Sequence, residues 1–185
     1  MMAQYPLAGR MEVIWGDITS LRVDAVVNAA KGSLEGGGGV DGLIHWAAGS
    51  RLLEACRRLG ECPMGEARIT PGFDLPARFI IHTVGPVYGI DPEPERILAD
   101  CYRNSLRLAI DYGLRTIAFP AISCGSYRFP VARACPIAIG TVAEILRREA
   151  LPEKVLFVVH SLEQYEIYRE VLQGILHGEE KRIPL

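Results

Sequence analysis

Asn28-Ala-Ala-Lys-Gly-Ser-Leu-Glu-Gly-Gly-Gly-Gly-Val-Asp-Gly-Leu-Ile-His45 is the stretch on which the reading of this chain turns. An apolar run, residues 25–27, feeds into it, and an apolar pattern of helical period begins near Val40. Between them stand four consecutive glycines, residues 36–39. Without a Cβ, such a loop reaches positive φ and lets another molecule approach its backbone. A helix that starts just after it turns unpaired N–H groups and a positive dipole end toward the loop. Strand, glycine loop and helix N-terminus together form a phosphate cradle. Asp41 stands at the end of the glycines, where phosphate binding alone has no use for a negative charge, so it needs a separate role.

Outward from this loop, the hydrophobic period alternates between strand and helix. Strands are expected at residues 11–15, 25–30, 66–70 (an edge), 78–84, 116–122 (broken at Pro120) and 155–160. Helical spacing covers 43–59, interrupted at Gly49 and ended by Gly60, then 95–112, 131–148 and 162–176. The tail beyond Gly178 is polar and expected to be loose. No linker, repeat or composition shift divides the 185 residues, which predicts one domain over 1–185 with its core at about 11–177. The fold class expected is α/β, a mixed and mostly parallel sheet with helices on both faces. Ligands of such sheets bind beyond the carboxyl ends of the strands. The glycine loop, the 123–127 loop, Asp17 and His160 all follow strands, so they are expected to share one rim.

With 49% hydrophobic and 23% charged residues, the composition excludes a disordered chain. A net charge of −2 gives no basic surface for general nucleic-acid or acidic-membrane binding. The cysteines are five, an odd number with no Cys-x-x-Cys spacing, and residues 1–10 lack the charged and apolar regions of a secretory signal. Free thiols, a soluble protein and a cytoplasmic location are expected. No apolar run approaches the ~18 residues of a membrane span, and no His/Cys/Asp cluster has zinc-ligand spacing, so neither metal nor cofactor is implied.

Gly37, Gly39 and Gly42 formally satisfy the dinucleotide fingerprint Gly-x-Gly-x-x-Gly. That fingerprint wants its turn immediately after the strand and an acidic residue about 20 positions on, at the end of a second strand. The region concerned holds Glu61 beside Cys62-Pro63, and the loop starts several residues late. A P-loop needs Gly-Lys-Ser/Thr, where this chain has Gly39-Val40-Asp41. Neither reading fits.

Gly16-Asp17-Ile18-Thr19, the 24–30 run Asp-Ala-Val-Val-Asn-Ala-Ala, the 36–42 run Gly-Gly-Gly-Gly-Val-Asp-Gly, Ile44-His45 and Ala48-Gly49 strongly resemble the macrodomain family. Its MacroD-like branch, which includes bacterial O-acetyl-ADP-ribose deacetylases, is the most similar. Further matches are Pro63-Met64-Gly65-Glu66-Ala67, Leu75-Pro76-Ala77, His82-Thr83-Val84-Gly85-Pro86 and the 118–125 run Ala-Phe-Pro-Ala-Ile-Ser-Cys-Gly. They span nearly the whole chain. The resemblance implies a three-layer α/β/α macrodomain fold and an ADP-ribose or O-acetyl-ADP-ribose site, with mono-ADP-ribosylated proteins as further partners. It implies that Asp17 and Ile18 read the adenine and that Asn28 belongs to the ligand site. Backbone donors of Gly37, Gly38, Gly39 and Val40 on one side, and of Ser123, Cys124, Gly125, Ser126 and Tyr127 on the other, would clamp the diphosphate. By a looser match, His160 stands at the adenine-stacking position.

The same resemblance gives Asp41 its role, activating a water near the distal ribose for attack on an ester-linked ADP-ribose. General-base assistance of this kind is worth roughly 10²–10⁴-fold. His45, four residues on, shares its helical face and could orient it. One departure is Lys31, where the family has a second Asn that binds the distal ribose. Lysine cannot accept a hydrogen bond and adds a point charge, so it either pairs with Asp41 or contacts ribose or diphosphate itself. Cys124 replaces the usual Thr and Arg128 the usual Gly. Two readings follow: a hydrolase of ADP-ribose esters using Asp41, His45 and Lys31, or, because of Lys31, a module that binds ADP-ribose without turnover. Cys124 lacks a His–Asp partner pattern for a nucleophile, and His82, inside an apolar strand, reads as a satisfied core histidine.

Overall fold

A computed structural model describes residues 4–180. The chain forms β1 (Met11–Trp15), a 3-10 turn (Ile18–Ser20), β2 (Ala25–Ala29), α1 (Gly39–Ala48), α2 (Ser50–Leu59), β3 (Ala67–Pro71) and β4 (Phe79–Thr83). It continues through α3 (Pro94–Asp111), β5 (Thr116–Pro120), α4 (Val131–Leu146), β6 (Lys154–Val159) and α5 (Leu162–Glu180). The strands form one sheet in the order β1-β6-β5-β2-β4-β3. All neighbours are parallel except the edge strand β3, which runs antiparallel to β4. The sheet is thus mixed and mostly parallel, as the sequence implies.

The inner strands are apolar throughout because both of their faces are covered. Val27, Ile81, Phe119 and Phe157 point to one face, where they meet α3, α4 and α5 through Leu98, Tyr102, Ile139 and Tyr168. Their neighbours Val26, Ile80, Ala118 and Leu156 point to the other, against Ile44 and Ala48 of α1 and Leu52 and Cys56 of α2. This topology opens a crevice. β2 and β5 are adjacent, yet the chain leaves β2 toward α1 on one face and β5 toward α4 on the other. The loops after these two strands therefore splay apart at the carboxyl ends, where an open α/β sheet takes its ligands.

Two polar clamps fix the opposite end. Asp24 accepts hydrogen bonds at Oδ2 from the N–H groups of Arg115 (2.8 Å) and Thr116 (3.1 Å), and its own N–H donates to Thr116 Oγ1 (2.7 Å). The Arg10 guanidinium donates to the carbonyls of Leu146, Glu149, Ala150 and Pro152, closing the α4–β6 connection against β1.

As its interruption implies, the helical pattern at 43–59 is two helices, parted where Gly49 adopts φ +84°, and the first starts earlier, at Gly39. Several other boundaries shift by one or two residues, as at α4, which ends at Leu146 and not 148. β5 stops at Pro120, which has no N–H for a further ladder bond. The last helix does not end at Leu176 but runs to Glu180, with His177 Nδ1 2.7 Å from the Gln173 carbonyl. Residues 181–185, the rest of the tail expected to be loose, lie outside the described residues. Among the described residues no helix is long and apolar enough to cross a membrane.

Candidate functional site

The splayed loops enclose a cleft of two joined lobes. Lys31, Gly38, Gly39, Val40, Asp41, the 123–127 loop, His160 and Gln164 line the first. Gly16, Asp17, Ile18 and Leu43 line the second, and Gly39, Val40, Pro120, Val158 and His160 belong to both. The structure thus brings to one rim the four segments that follow strands. Asn28, Gly37 and His45, though named as site residues from the sequence, do not line it.

Two backbone walls face each other across the first lobe. The first bond of α1 runs from the Gly42 N–H to the Gly38 carbonyl (3.3 Å), so the N–H groups of Gly39, Val40 and Asp41 have no helical acceptor. The opposite loop turns through Ser123 (φ +63°) and Arg128 (φ +59°), held by Arg128 N–H to Gly125 O and Phe129 N–H to Ser123 O, both 2.9 Å. Among the described residues the N–H groups of Gly125, Ser126 and Tyr127 take no backbone acceptor. The Ser123 hydroxyl is buried and likewise without a partner. It packs against Gly85, where a Cβ would fall 2.2 Å from its Oγ. Converging unpaired donors at a helix N-terminus and a tight loop form an anion site.

At the α1 end of this lobe lies Asp41, only 4% exposed. Its Oδ1 accepts a 2.8 Å hydrogen bond from Asn28 Nδ2 and lies 3.5 Å from His45 Nε2. Its Oδ2 has no partner. His45 packs beneath the loop, so that a Cβ at Gly36 would fall 3.2 Å from the ring. Lys31 reaches over the loop from the other side. A Cβ at Gly37 would fall 2.5 Å from Lys31 Cε, 2.9 Å from Nζ and 3.3 Å from Asp41 Oδ2. Ammonium and free carboxylate oxygen therefore flank the same point without being ion-paired, leaving a gap of about one small group.

Behind Asp41 the polar contacts continue. Asn28 Nδ2 is 3.2 Å from His82 Nδ1, and His82 Nε2 is 3.0 Å from Thr70 Oγ1 and 3.9 Å from Cys56 Sγ. Burial, and then the charge of His45, push the His82 pKa down to about 3, so the ring is neutral. At the second lobe, Asp17 Oδ1 caps the 3-10 turn by accepting from Thr19 N–H (2.9 Å) and Oγ1 (2.7 Å).

Cys124 lines the cleft, but burial pushes its pKa up to about 12, and a neutral thiol is a poor nucleophile. All five cysteines are free. Among the described residues no group of three His, Cys, Asp or Glu side chains could hold a metal ion. Sequence reasoning missed Gln164 and Gly85 in the wall. Gln164 was legible in principle from its place in the first turn of the helix that follows β6; the structure adds that its buried Oε1 has no partner.

The Macro domain family model matches residues 27–138, from β2 through much of α4. The chain is 57% identical over 163 residues to a Macro domain-containing protein of Chlorobaculum tepidum, covering 88% of this chain and 95% of that one. It is 52% identical over 171 residues to the O-acetyl-ADP-ribose deacetylase of Citrobacter koseri, covering 90% and 97%. Among solved structures it is similar to the Oceanobacillus iheyensis macrodomain with ADP (TM-score 0.88, 42% identity, 95% and 96% covered). It is also similar to the Trypanosoma brucei macrodomain in complex with ADP-ribose (TM-score 0.83, 37% identity, 91% and 73% covered). Family model, relatives and solved structures agree: the chain belongs to the Macro domain family.

Proposed function

We propose that this macrodomain binds ADP-ribose in the cleft and hydrolyses its esters, O-acetyl-ADP-ribose among them. The observation that carries the reading is Asp41, a buried carboxylate with one oxygen unpartnered, at the end of an otherwise anion-binding wall. Relatives about half identical in sequence are O-acetyl-ADP-ribose deacetylases. In this reading the adenosine half occupies the Asp17 lobe and His160 flanks the base. The diphosphate lies between the free N–H groups at the start of α1, those of Gly39 and Val40, and those of 125–127, and the distal ribose ends beside Asp41 and Lys31.

Asp41 Oδ2 takes a proton from a water as its oxygen attacks the ester carbonyl. The tetrahedral intermediate then expels the ribose oxygen, which recovers the proton, releasing carboxylic acid and ADP-ribose. Backbone donors supply the fixed electrostatic field, and a site already turned toward the charge needs no reorganisation. The same chemistry extends to an ADP-ribosyl ester on a protein Asp or Glu side chain, because the bond broken is the same.

Lys31 favours a second reading. Its ammonium stands where it could hold Asp41's free oxygen or the ribose without promoting attack, which suits a module that binds ADP-ribose without turnover. Release of ADP-ribose from O-acetyl-ADP-ribose separates the two. The hydrolase reading expects turnover in wild type, a loss of 10²-fold or more in Asp41→Ala, and ADP-ribose affinity little changed in that variant. Tight binding with no wild-type turnover means a binding module. If Lys31→Asn then gains turnover, the lysine is what withholds it.

A further inference from the structure

Behind the cleft wall lies a row of buried polar side chains that the hydrolysis leaves without a role. Asn28, His82 and Thr70 come from the adjacent strands β2, β4 and β3, with Asn28 and His82 in register. All three are at most 4% exposed. Asn28 Nδ2 lies 2.8 Å from Asp41 Oδ1 and 3.2 Å from His82 Nδ1.

An amide nitrogen has two hydrogens and accepts nothing. It therefore donates one hydrogen to Asp41 and the other to His82, which requires a lone pair on Nδ1. The ring proton is then on Nε2, 3.0 Å from Thr70 Oγ1, to which it donates. Both ring nitrogens are thereby used: Asn28 fixes the tautomer, and the Thr70 hydroxyl, which can accept as well as donate, fits it. Turning the Asn28 amide over would set Oδ1, which has no partner of its own, against the acceptor-only Asp41 carboxylate. A second acceptor, the Nδ1 lone pair of His82, opposes the same turn. It admits only an N–H donor on that side.

We propose that His82 is a positioning residue: by fixing the Asn28 amide it holds Asp41 through Oδ1, so that Oδ2 stays the free oxygen beside Lys31 and Gly37. The assignment rests on the hydrolase reading for its catalytic consequence, though not for its geometry. It makes His82 a distant determinant of attack rather than of affinity.

Asparagine and glutamine at position 82 separate this from a packing role. An Asn side-chain oxygen falls near the place of Nδ1 and keeps the acceptor that faces Asn28. A Gln oxygen falls near the place of Nε2, keeping a partner for Thr70 and giving up the one for Asn28. With O-acetyl-ADP-ribose, His82→Gln is expected to lose about tenfold or more in kcat, with KM and ADP-ribose affinity within about twofold. His82→Asn, although it leaves the larger void and the lower Tm, is expected to keep kcat within about threefold of wild type. Equal activity in His82→Gln and wild type overturns the proposal, as does a kcat that follows Tm across the variants.

Nitrogen-15 NMR of the imidazole gives a readout independent of turnover. The expected state is neutral, protonated on Nε2; the Nδ1–H tautomer overturns the proposal. If wild type binds ADP-ribose but releases none from any ADP-ribosyl ester, the hydrolase reading alone falls. Displaced Asn28 side-chain amide protons, lost in His82→Gln and kept in His82→Asn, then decide for His82, and their persistence in both decides against it.

Discussion

At the scale of single residues, the site depends on glycines for different physical reasons, and substitutions can tell them apart. Gly42, within α1, lies so close to the loop that a Cβ would fall 2.4 Å from the Gly37 carbonyl oxygen. Backbone against backbone cannot yield as a side-chain tip can. Gly42→Ala is expected to displace the 36–38 turn, cost about 1–3 kcal/mol in stability, and weaken ADP-ribose binding by at least tenfold in calorimetry. At Gly38 a Cβ would meet nothing within 4 Å and φ is −92°, so Gly38→Ala should leave Tm unchanged. Any affinity it loses then measures how closely the ligand lies on that backbone. Unimpaired binding in both variants would mean that the diphosphate does not sit on this wall. The value of the glycine run was legible in the sequence, because a loop of four glycines between strand and helix has few other uses. The partners of Asp41 were only half legible. His45 lies four residues along the same helix, whereas Asn28 reaches it from β2.

At the scale of elements, the loop after α4 shows how one side chain stands in for secondary structure. Arg10 gathers the carbonyl of Leu146, the last residue of α4, and those of Glu149, Ala150 and Pro152 in the loop that follows, through two guanidinium nitrogens. Removing it leaves partly buried acceptors unmet, so Arg10→Ala should destabilise by roughly 1–3 kcal/mol. For a chain this long that lowers Tm by about 2–12 °C. Arg10→Lys should recover only part, because an ammonium cannot span the fork. Unchanged melting in both would show that water serves these carbonyls equally well. Long-range ties of this kind, with more than a hundred residues between partners, were invisible in the sequence. Periodicity reports which face of an element is buried and says nothing of which distant element covers it. That is why the strands and helices read within a few residues of their places, and why the rim of the cleft read well. Its segments are strand ends, and strand ends converge by topology. Two boundaries that moved have a local cause: the missing N–H of Pro120 at the end of β5, and His177 against the Gln173 carbonyl in the last helix.

At the scale of the whole molecule, His82 joins the polar row behind the cleft to the stability of the sheet. It sits on β4 between β2 and β3, fully buried, and its pKa falls to about 3 chiefly through that burial. Unfolded, the same imidazole titrates near 6.5. Between those two values the unfolded chain binds a proton that the folded chain refuses, so stability rises with pH across the window. The contribution of His82 is complete above about pH 6.5 and drains away as pH falls toward 3, at up to about 1.4 kcal/mol per pH unit. Unfolded carboxylates reach half-protonation only near 4.3, so the histidines dominate from 6.5 to 5, and the difference between wild type and variant removes what the carboxylates add. Removing the imidazole in His82→Leu lowers stability at neutral pH, where Asn28 loses its acceptor, but it also removes the proton linkage. Denaturant unfolding at pH 6.5, 6.0, 5.5 and 5.0 should therefore show the wild-type free energy falling more steeply than that of the variant. The two curves should converge by about 1 kcal/mol or more over the interval. Parallel curves would mean that the ring takes its proton without the sheet opening. The neutral tautomer that holds Asn28 would then be a minor state at the acid end of that range, and turnover should collapse there with the fold intact.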